Sequence, residues 1–309
     1  MLRWAMAVVV GMVVVGQSGL WAAEGQKKRI VFLVGKQSHG WGGHAYGADC
    51  AILAKALNEN VAGVEAVVLA GWPRDAKVLE GAAAIVIACD GNGLIGGKAN
   101  YEAMEVLAKK EVGIGFVHYS LDVGNDCGKY LLGWIGGYYE QHWSVNPSWK
   151  AEFKSLPEHP VARGVRPFAI DDEWYYHMRF AEAMKGVTPI LSAVPPEGTR
   201  KGPDGAHSGN ATVRSRVGMA EHVGWVYERA DGGRGFGFTG GHAHWNYASD
   251  NFRKVLLNAA CWLAKVEVPM EGVASKRPSV EEMEAGLAGD RPKDWPKERT
   301  AKEIERVNR

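Results

Sequence analysis

Three runs of apolar residues do most to limit the fold of this chain. They cover residues 30–34, 84–88 and 112–117 and contain no polar side chain. Strands that face solvent on one side alternate apolar and polar residues, whereas strands of a parallel sheet are covered on both faces and are apolar throughout. Segments with helical apolar spacing lie between the runs, at residues 45–58 and 101–109. This order predicts an α/β fold with a doubly wound, mainly parallel sheet.

The second half of the chain adds shorter β elements to the predicted sheet. Short strand-like pieces alternate with turns between residues 149 and 194. Apolar runs at residues 222–227 and 235–239 flank a glycine-containing turn, which predicts a hairpin. An amphipathic helix is predicted over residues 251–264. We therefore expect one α/β domain over residues 29–265.

The two ends of the chain differ in composition from this domain. Residues 1–23 combine the positive Arg3 with an apolar stretch too short to span a bilayer. They predict a signal peptide, a periplasmic or secreted location, and no membrane span beyond this segment. Bulky residues just before Ala22 leave an uncleaved anchor as the alternative. Residues 270–309 are rich in charge and poor in apolar residues, which predicts an extended tail that serves as a wrap or a tether.

Charge and cysteine usage exclude several kinds of partner and site. The 36 lysines and arginines are balanced by 35 acidic residues, so the chain offers no long-range attraction to nucleic acid or to anionic lipid. Four cysteines without a CxxC pair argue against a zinc knuckle or a thioredoxin-type redox site, and they are compatible with disulfides or with buried thiols. No glycine motif for nucleotide phosphates is present. The oligomeric state stays open.

Histidines follow three of the predicted strands at the point where each strand ends. His39 lies after the first apolar run, His118 directly after the run at 112–117, and His242 after the second strand of the hairpin. Asp90 follows the run at 84–88. In a doubly wound sheet the ligand crevice lies outside the carboxyl ends of the strands. The sequence therefore predicts that these side chains meet in one polar site.

Four motifs resemble the ThuA-like, or trehalose utilisation, family. They are FVHYS at residues 116–120, HPVARGV at 159–165, DDEWYYH at 171–177 and GRGFGFTGGHAHW at 233–245. The resemblance implies a flavodoxin-like fold similar to that of class I glutamine amidotransferases and a role in the catabolism of disaccharides or keto-sugars. The polar positions that match the family are His39, His118, Glu173 and His242. Amidotransferases carry a nucleophilic cysteine where this chain has His118, so a cysteine-dependent glutamine hydrolysis is not expected.

Neutral imidazoles beside a carboxylate can serve either of two chemistries. Histidine titrates near neutral pH and can act with a carboxylate as a general acid and base. The same groups can bind a first-row metal, with Zn²⁺ the simplest candidate and no cofactor otherwise specified. The predicted catalytic residues are His118, Glu173 and His242; the predicted substrate-binding residues are His39, Asp90, Tyr119 and Trp245; and the predicted metal ligands are His39, His118, His242 and His244.

The leading hypothesis is an exported enzyme that acts on a small-molecule carbohydrate or keto-sugar. Its reaction would be that of a hydrolase, a lyase or an isomerase. A non-catalytic sugar-binding module on the same scaffold is the first alternative. A scaffolding protein that docks through its charged tail is the second.

Overall fold

The structure, a computed structural model, describes residues 26–309. The predicted signal peptide at residues 1–23 therefore lies outside the described residues. The strands are β1 (Lys28–Val34), β2 (Val64–Ala70), β3 (Ala82–Ala88), β4 (Gly113–Val117), β5 (Gly137–Tyr138), β6 (Ser148–Phe153), β7 (Phe168–Glu173), β8 (Arg179–Phe180), β9 (Val187–Ala193), β10 (Glu221–Glu228) and β11 (Arg234–Phe238). The helices are α1 (Tyr46–Asn60), α2 (Lys98–Lys109), α3 (Gly128–Ile135), α4 (Ala211–Arg214), α5 (Asp250–Leu263), α6 (Val280–Glu284) and α7 (Lys297–Arg306).

A seven-stranded sheet in the order β2-β1-β3-β4-β11-β10-β9 forms the centre of the molecule. Strands β1 to β4 and β11 are parallel to one another, whereas β10 is antiparallel to both of its neighbours. The predicted doubly wound, mainly parallel sheet is confirmed, and so are the additional β elements of the second half.

Strand β1 shows why its sequence has no polar alternation. Ile30 and Phe32 point into an apolar cluster on one face of the sheet, which α1 and α5 cover. Val31 and Leu33 point into a second cluster on the other face, which α2 and α3 cover. Each of these side chains is buried, and full burial of a side chain of this size contributes roughly 2 kcal/mol. Both faces of the strand therefore require apolar residues.

Two short antiparallel pairs lie outside the central sheet. Strand β5 pairs with β8, and β6 pairs with β7 over the register Ser148↔Glu173 to Phe153↔Phe168. Side chains of β6 alternate between exposed and buried, as expected for a strand with one solvated face. The last residues of β7 are Asp172 and Glu173, and both reach the carboxyl edge of the central sheet.

The charged tail is folded against the domain and includes α6 and α7. Met283 of α6 is fully buried, and Ile304 of α7 is nearly so. The Trp295 ring stacks on the Trp245 ring, with 4.9 Å between the ring centroids. The backbone amide of Ala288 donates a hydrogen bond to the side-chain oxygen of Gln37. The tail thus contacts the loops that follow β1 and β11.

All four cysteines are free thiols, and Cys50, Cys89 and Cys261 are buried. The sequence was compatible with disulfides or with buried thiols, and the structure contains thiols. Between residues 26 and 309, no helix combines the length and the apolar content that crossing a bilayer requires.

Candidate metal centre

Four side chains from distant parts of the sequence meet at the carboxyl edge of the sheet. His44 lies in the loop after β1, His118 directly after β4, Glu173 at the end of β7 and His242 in the loop after β11. One potential ligand atom from each of them lies within 4.8 Å of the corresponding atoms of the other three. The predicted convergence of His118, Glu173 and His242 is therefore present.

His118 is held rigidly at the turn after β4. Its backbone is in the left-handed region, with φ of 56°, which is strained for a residue with a side chain. Its ring is fully buried, and Nδ1 lies 2.8 Å from the carbonyl oxygen of Thr239. A carbonyl oxygen can only accept, so Nδ1 carries the proton. In the neutral ring, Nε2 is left with its lone pair.

His44 is oriented in the same manner by a carboxylate. Its ring is buried, and Nδ1 lies 2.8 Å from Oδ1 of Asp90. Ser38 and Tyr46 donate to the same oxygen. Burial raises the pKa of Asp90, but these hydrogen bonds outweigh burial and lower it. The ionised Asp90 therefore fixes the proton of His44 on Nδ1 and directs the bare Nε2 toward the centre of the site.

The bare nitrogens of these two rings face each other. His44 Nε2 lies 3.0 Å from His118 Nε2, and Oε2 of Glu173 lies 3.4 Å from the same His118 nitrogen. Ligand atoms that share one ion at about 2.1 Å lie about 3.0 to 3.4 Å apart in octahedral or tetrahedral geometry. The two distances from His118 Nε2 thus match the spacing of a metal-binding set.

Glu173 and His242 form an ion pair beside these nitrogens. His242 Nδ1 lies 3.1 Å from Oε2 of Glu173, and the amide of Asn146 donates to Oε1. Burial opposes ionisation of Glu173, but the neighbouring imidazoles of His118 and His242 outweigh it and lower its pKa to about 2. Burial lowers the pKa of His242, yet the hydrogen bond that it donates to Glu173 and the charge of that carboxylate raise it overall.

The pKa of His44 is lowered overall, in contrast to that of His242. Burial first, and then the neighbouring His118 and His242, lower the pKa of His44 to about 3. The His44 ring is therefore neutral at physiological pH. Neutral imidazole is the form that binds metals.

The carboxylate of Asp172 fixes the loop that carries His242. It is buried and accepts hydrogen bonds from the backbone amides of Gly241, His242 and Ala243, at 2.7 to 3.2 Å, and from that of Glu173. From the sequence we would assign this residue only to the end of a strand. The signal that could have identified it is its place beside Glu173, opposite the glycine-rich loop at the end of β11.

His44 is the member of the cluster that the sequence prediction omitted. The segment between His39 and His44 contains three glycines, and Gly42 has φ of 76° with no space for a Cβ against the Trp245 ring. The tight turn that these glycines permit brings His44 back toward His118. The glycine cluster was therefore the available signal for His44.

His244 is not a metal ligand, and this part of the prediction is wrong. Its ring is fully buried; Nδ1 contacts Asp49, and Nε2 contacts the carbonyl oxygen of Met283. Both nitrogens are occupied by acceptors, so neither can bind a metal. Trp245 is likewise not a substrate-binding residue, because its ring is buried between the loop after β1 and Trp295 of the tail.

The other predicted substrate-binding residues lie around the centre. His39 is exposed at the rim, with its ring centroid 3.9 Å from that of His44, and it falls outside the four-residue cluster. The centroid of the Tyr119 ring lies 5.8 Å from that of His44. Asp90 acts on the centre through His44 and not as a member of the cluster.

The order of the mainly parallel sheet and the helices on both of its faces define an α/β protein with a glutamine amidotransferase-like fold. A family model described as trehalose utilisation matches residues 31–263. The chain belongs to this ThuA family. A comparison with curated proteins gave no match.

Two solved structures of ThuA-like proteins are similar to this one. One, from Bacteroides uniformis, has a TM-score of 0.57 and 15% sequence identity, and the match covers 78% of this chain and 93% of that chain. The other, from Parabacteroides merdae, has a TM-score of 0.51 and 14% identity, and the match covers 84% of this chain and 96% of that chain. At these identities the similarity shows the fold.

Proposed function

We propose that this protein is a metal-dependent enzyme that acts on a small carbohydrate or keto-sugar. The metal ligands are His44, His118 and Glu173. The observation that carries the proposal is the convergence of two imidazole Nε2 atoms, on rings whose Nδ1 atoms donate to fixed acceptors, and a carboxylate oxygen. Such acceptors repel one another unless a cation lies between them.

A metal ion is the cation that this set of acceptors suits. The pKa of His44 is lowered to about 3, so this ring does not take up a second proton near neutral pH. Two histidines and one glutamate match the ligand set of catalytic Zn²⁺ sites, which keep a further position for water or substrate. Zn²⁺ is thus the simplest occupant.

Two neighbouring groups supply the proton chemistry of the proposed reaction. His242 is paired with Glu173, its pKa is raised, and 31% of its side chain is exposed, so it can exchange a proton with a substrate at the rim. The hydroxyl of Tyr175 lies 3.3 Å from His118 Nε2. Burial raises the pKa of Tyr175, so its phenol remains a hydrogen-bond donor. When bound, the metal would polarise a substrate oxygen or activate a water molecule.

The substrate class rests on the family and on the rim of the site. The family is described by trehalose utilisation, and the rim carries the rings of His39 and Tyr119 beside polar loops. Aromatic faces next to hydrogen-bonding groups suit the apolar and hydroxylated faces of a sugar ring. We propose a hydrolase, lyase or isomerase reaction, and a periplasmic or secreted location that follows from the signal-like segment at residues 1–23.

Metal content and turnover of single variants test this proposal. The purified protein should contain about one Zn²⁺ per chain by elemental analysis, and His118→Ala should lose both the metal and the turnover of candidate sugars. His242→Ala should keep the metal and lose turnover. His222→Ala is the matched control, because this ring binds Ser192 on the antiparallel side of the sheet, away from the cluster.

Two results would contradict the proposal. A His118→Ala variant that binds Zn²⁺ as tightly as the parent protein would exclude the assigned ligand set. If a sugar binds but remains chemically intact by NMR after long incubation, the protein is a sugar-binding module and not an enzyme.

A further inference from the structure

A second histidine–carboxylate pair lies beside the metal centre, outside the four-residue cluster. Nε2 of His207 lies 2.9 Å from Oδ2 of Asp122, and only 4% of the Asp122 side chain is exposed. The side-chain amide of Gln141 donates to the same carboxylate, at 3.1 and 3.2 Å from its two oxygens. Because a carboxylate accepts hydrogen bonds, the neutral His207 ring carries its proton on Nε2 and its lone pair on Nδ1.

The backbone that carries His207 holds the ring in a defined orientation. His207 lies at the tip of a turn that the bridge Gly205↔Gly209 closes. Its carbonyl oxygen accepts a hydrogen bond from the backbone amide of Asn146, at 3.2 Å. Its ring stacks on that of Tyr139, with 5.4 Å between the ring centroids. A group that transfers protons needs such a fixed position.

Asn146 and Tyr139 connect the pair with the metal centre. The side-chain amide of Asn146 donates to Oε1 of Glu173, at 3.3 Å, while its backbone amide donates to His207. The ring of Tyr139 packs against that of Tyr175, whose hydroxyl contacts the centre, and the two centroids lie 5.3 Å apart. One residue thus separates His207 from the ligand Glu173.

The second ring nitrogen of His207 is open to a substrate. Of the side chain, 41% is exposed, and among residues 26–309 no group hydrogen-bonds to Nδ1. At the metal centre, His242 and Tyr175 are both placed as hydrogen-bond donors. A reaction that removes a proton from a sugar hydroxyl also needs an acceptor. His207 Nδ1 is an exposed acceptor beside the centre.

We propose that His207 is a second proton-transfer group of this enzyme and acts as a general base toward a substrate hydroxyl. In this step the O–H bond of the hydroxyl breaks, its proton bonds to Nδ1, and the electron pair stays on the substrate oxygen. Asp122 stabilises the imidazolium that forms, which later returns the proton to the product or to water. This inference rests on the proposed function and adds the group that accepts the proton.

Turnover by single variants of the zinc-loaded protein tests this role, with trehalose, glucose and fructose as the probes. We expect His207→Ala to keep its Zn²⁺ and to lower kcat about 100-fold or more, which is the usual contribution of a general base. Added imidazole, at a concentration that leaves the parent protein unaffected, should restore part of this loss. A purely structural role of His207 would not be rescued by a free base.

Asp122→Asn provides a second variant of nearly the same size. It should also lower kcat, because an amide can turn its NH₂ group toward Nε2 and reverse the tautomer of His207. His142→Ala is the matched control: His142 is exposed and contacts the His207 turn through its backbone amide, so turnover should stay that of the parent. A His207→Ala or Asp122→Asn variant with the parental kcat, or a loss in His207→Ala that imidazole fails to restore, would overturn the role.

The tautomer of His207 and the activity of the parent separate this proposal from the preceding one. Long-range ¹H–¹⁵N NMR at about pH 8, where a histidine ring is commonly neutral, should place the proton on Nε2. A proton on Nδ1 would overturn the second base whatever the turnover. A parent that converts a sugar as fast as His207→Ala does retains the proposed function and loses the second base. A parent that converts none of the three sugars overturns both.

Discussion

The hydrogen bonds made by Nδ1 of His44 and Nδ1 of His118 determine whether the Nε2 atoms of the two rings can act as acceptors. Asp90 and Thr239 accept from the two Nδ1 atoms, so that in the neutral form of each ring Nε2 carries the lone pair. Sequence motifs identified His118, Glu173 and His242, because each follows a recognisable strand end. They could not show that His44 joins the cluster whereas His244 does not, because this depends on acceptors that are distant in the sequence. His44 has such an acceptor on Nδ1 alone, whereas His244 has one on each ring nitrogen. For His244 those acceptors are Asp49 and the tail.

The carboxylate behind His44 can be tested at this scale. Asp90→Asn keeps the size of the side chain but removes the charge that holds the His44 proton on Nδ1. We expect Zn²⁺ affinity to fall about 10- to 100-fold, as is usual when the partner of a ligating histidine is changed. Competition titration against a chelator measures the affinity. Asp75→Asn, at an exposed position that caps a short turn away from the site, should leave it unchanged; an equal loss in this control would contradict the role of Asp90.

The loop after β11 depends on one strand end for its shape. Four backbone amides point at Asp172, and three of them belong to residues 241–243. Backbone amides carry no sequence signature, so this contact could not be predicted from residue types. The sequence predicted short strand-like pieces in this region, but it did not predict the pairing of β6 with β7 that presents Asp172 to the loop.

Removal of this carboxylate should destabilise the protein strongly. Asp172→Ala leaves several buried amides without an acceptor, and we expect the free energy of unfolding to fall by about 3 kcal/mol or more. Denaturant unfolding measures the change. Asp171→Ala is the matched control: its carboxylate is exposed and, among residues 26–309, reaches only Arg306, at 3.4 Å, so the loss should stay below about 0.5 kcal/mol. Equal losses in the two variants would contradict the assignment.

Glu221 at the start of β10 should make stability depend on acid pH. Burial raises the pKa of this carboxyl, but contacts with Arg216 and Arg200, both at 3.0 Å, outweigh it and lower the pKa from 4.5 to about 2. The His177 ring, 3.9 Å away, is beyond hydrogen-bonding distance, so we attribute the lowering to the two guanidinium groups.

Because the pKa is lower in the folded protein than in the unfolded chain, the stabilisation is present above pH 4.5 and is lost as the pH falls toward 2. Glu221→Gln should therefore cost on the order of 3 kcal/mol at pH 7 and much less near pH 2. Denaturant unfolding at several pH values provides the measurement. Glu152→Gln, on the exposed face of β6, should change stability at pH 7 by less than about 0.5 kcal/mol. A constant loss in Glu221→Gln across this pH range would argue against the linkage.

At the scale of the whole molecule, the central sheet could be predicted and the tail could not. Apolar runs without alternation specify strands that are buried on both faces, so the parallel core follows directly from the sequence. The composition of the tail predicts a charged, solvated segment, and most of its side chains are indeed exposed. Its attachment depends on a few anchors, including Met283 and Ile304, that are widely spaced in the sequence.

Deletion of residues 270–309 tests the contribution of the tail. The deletion exposes Trp245 and removes the acceptor of His244 beside the loop that carries His242. We expect a lower melting temperature and weaker Zn²⁺ binding, because the ligand loops lose their outer support. Thermal unfolding and metal titration measure the two effects. Met270→Ala, at a side chain that is 73% exposed, should change neither. A shortened chain with the metal affinity of the parent would show that the ligand loops keep their conformation without the tail.

The contact between His244 and the carbonyl oxygen of Met283 has a consequence for biosynthesis. Met283 follows His44, His118, Glu173 and His242 in the sequence, so all four are synthesised before the residue that braces His244. The strands of the central sheet also precede Met283, so the sheet can assemble before this contact forms. We therefore expect the loop around His242 to reach its final conformation only after Met283 has been added to the chain.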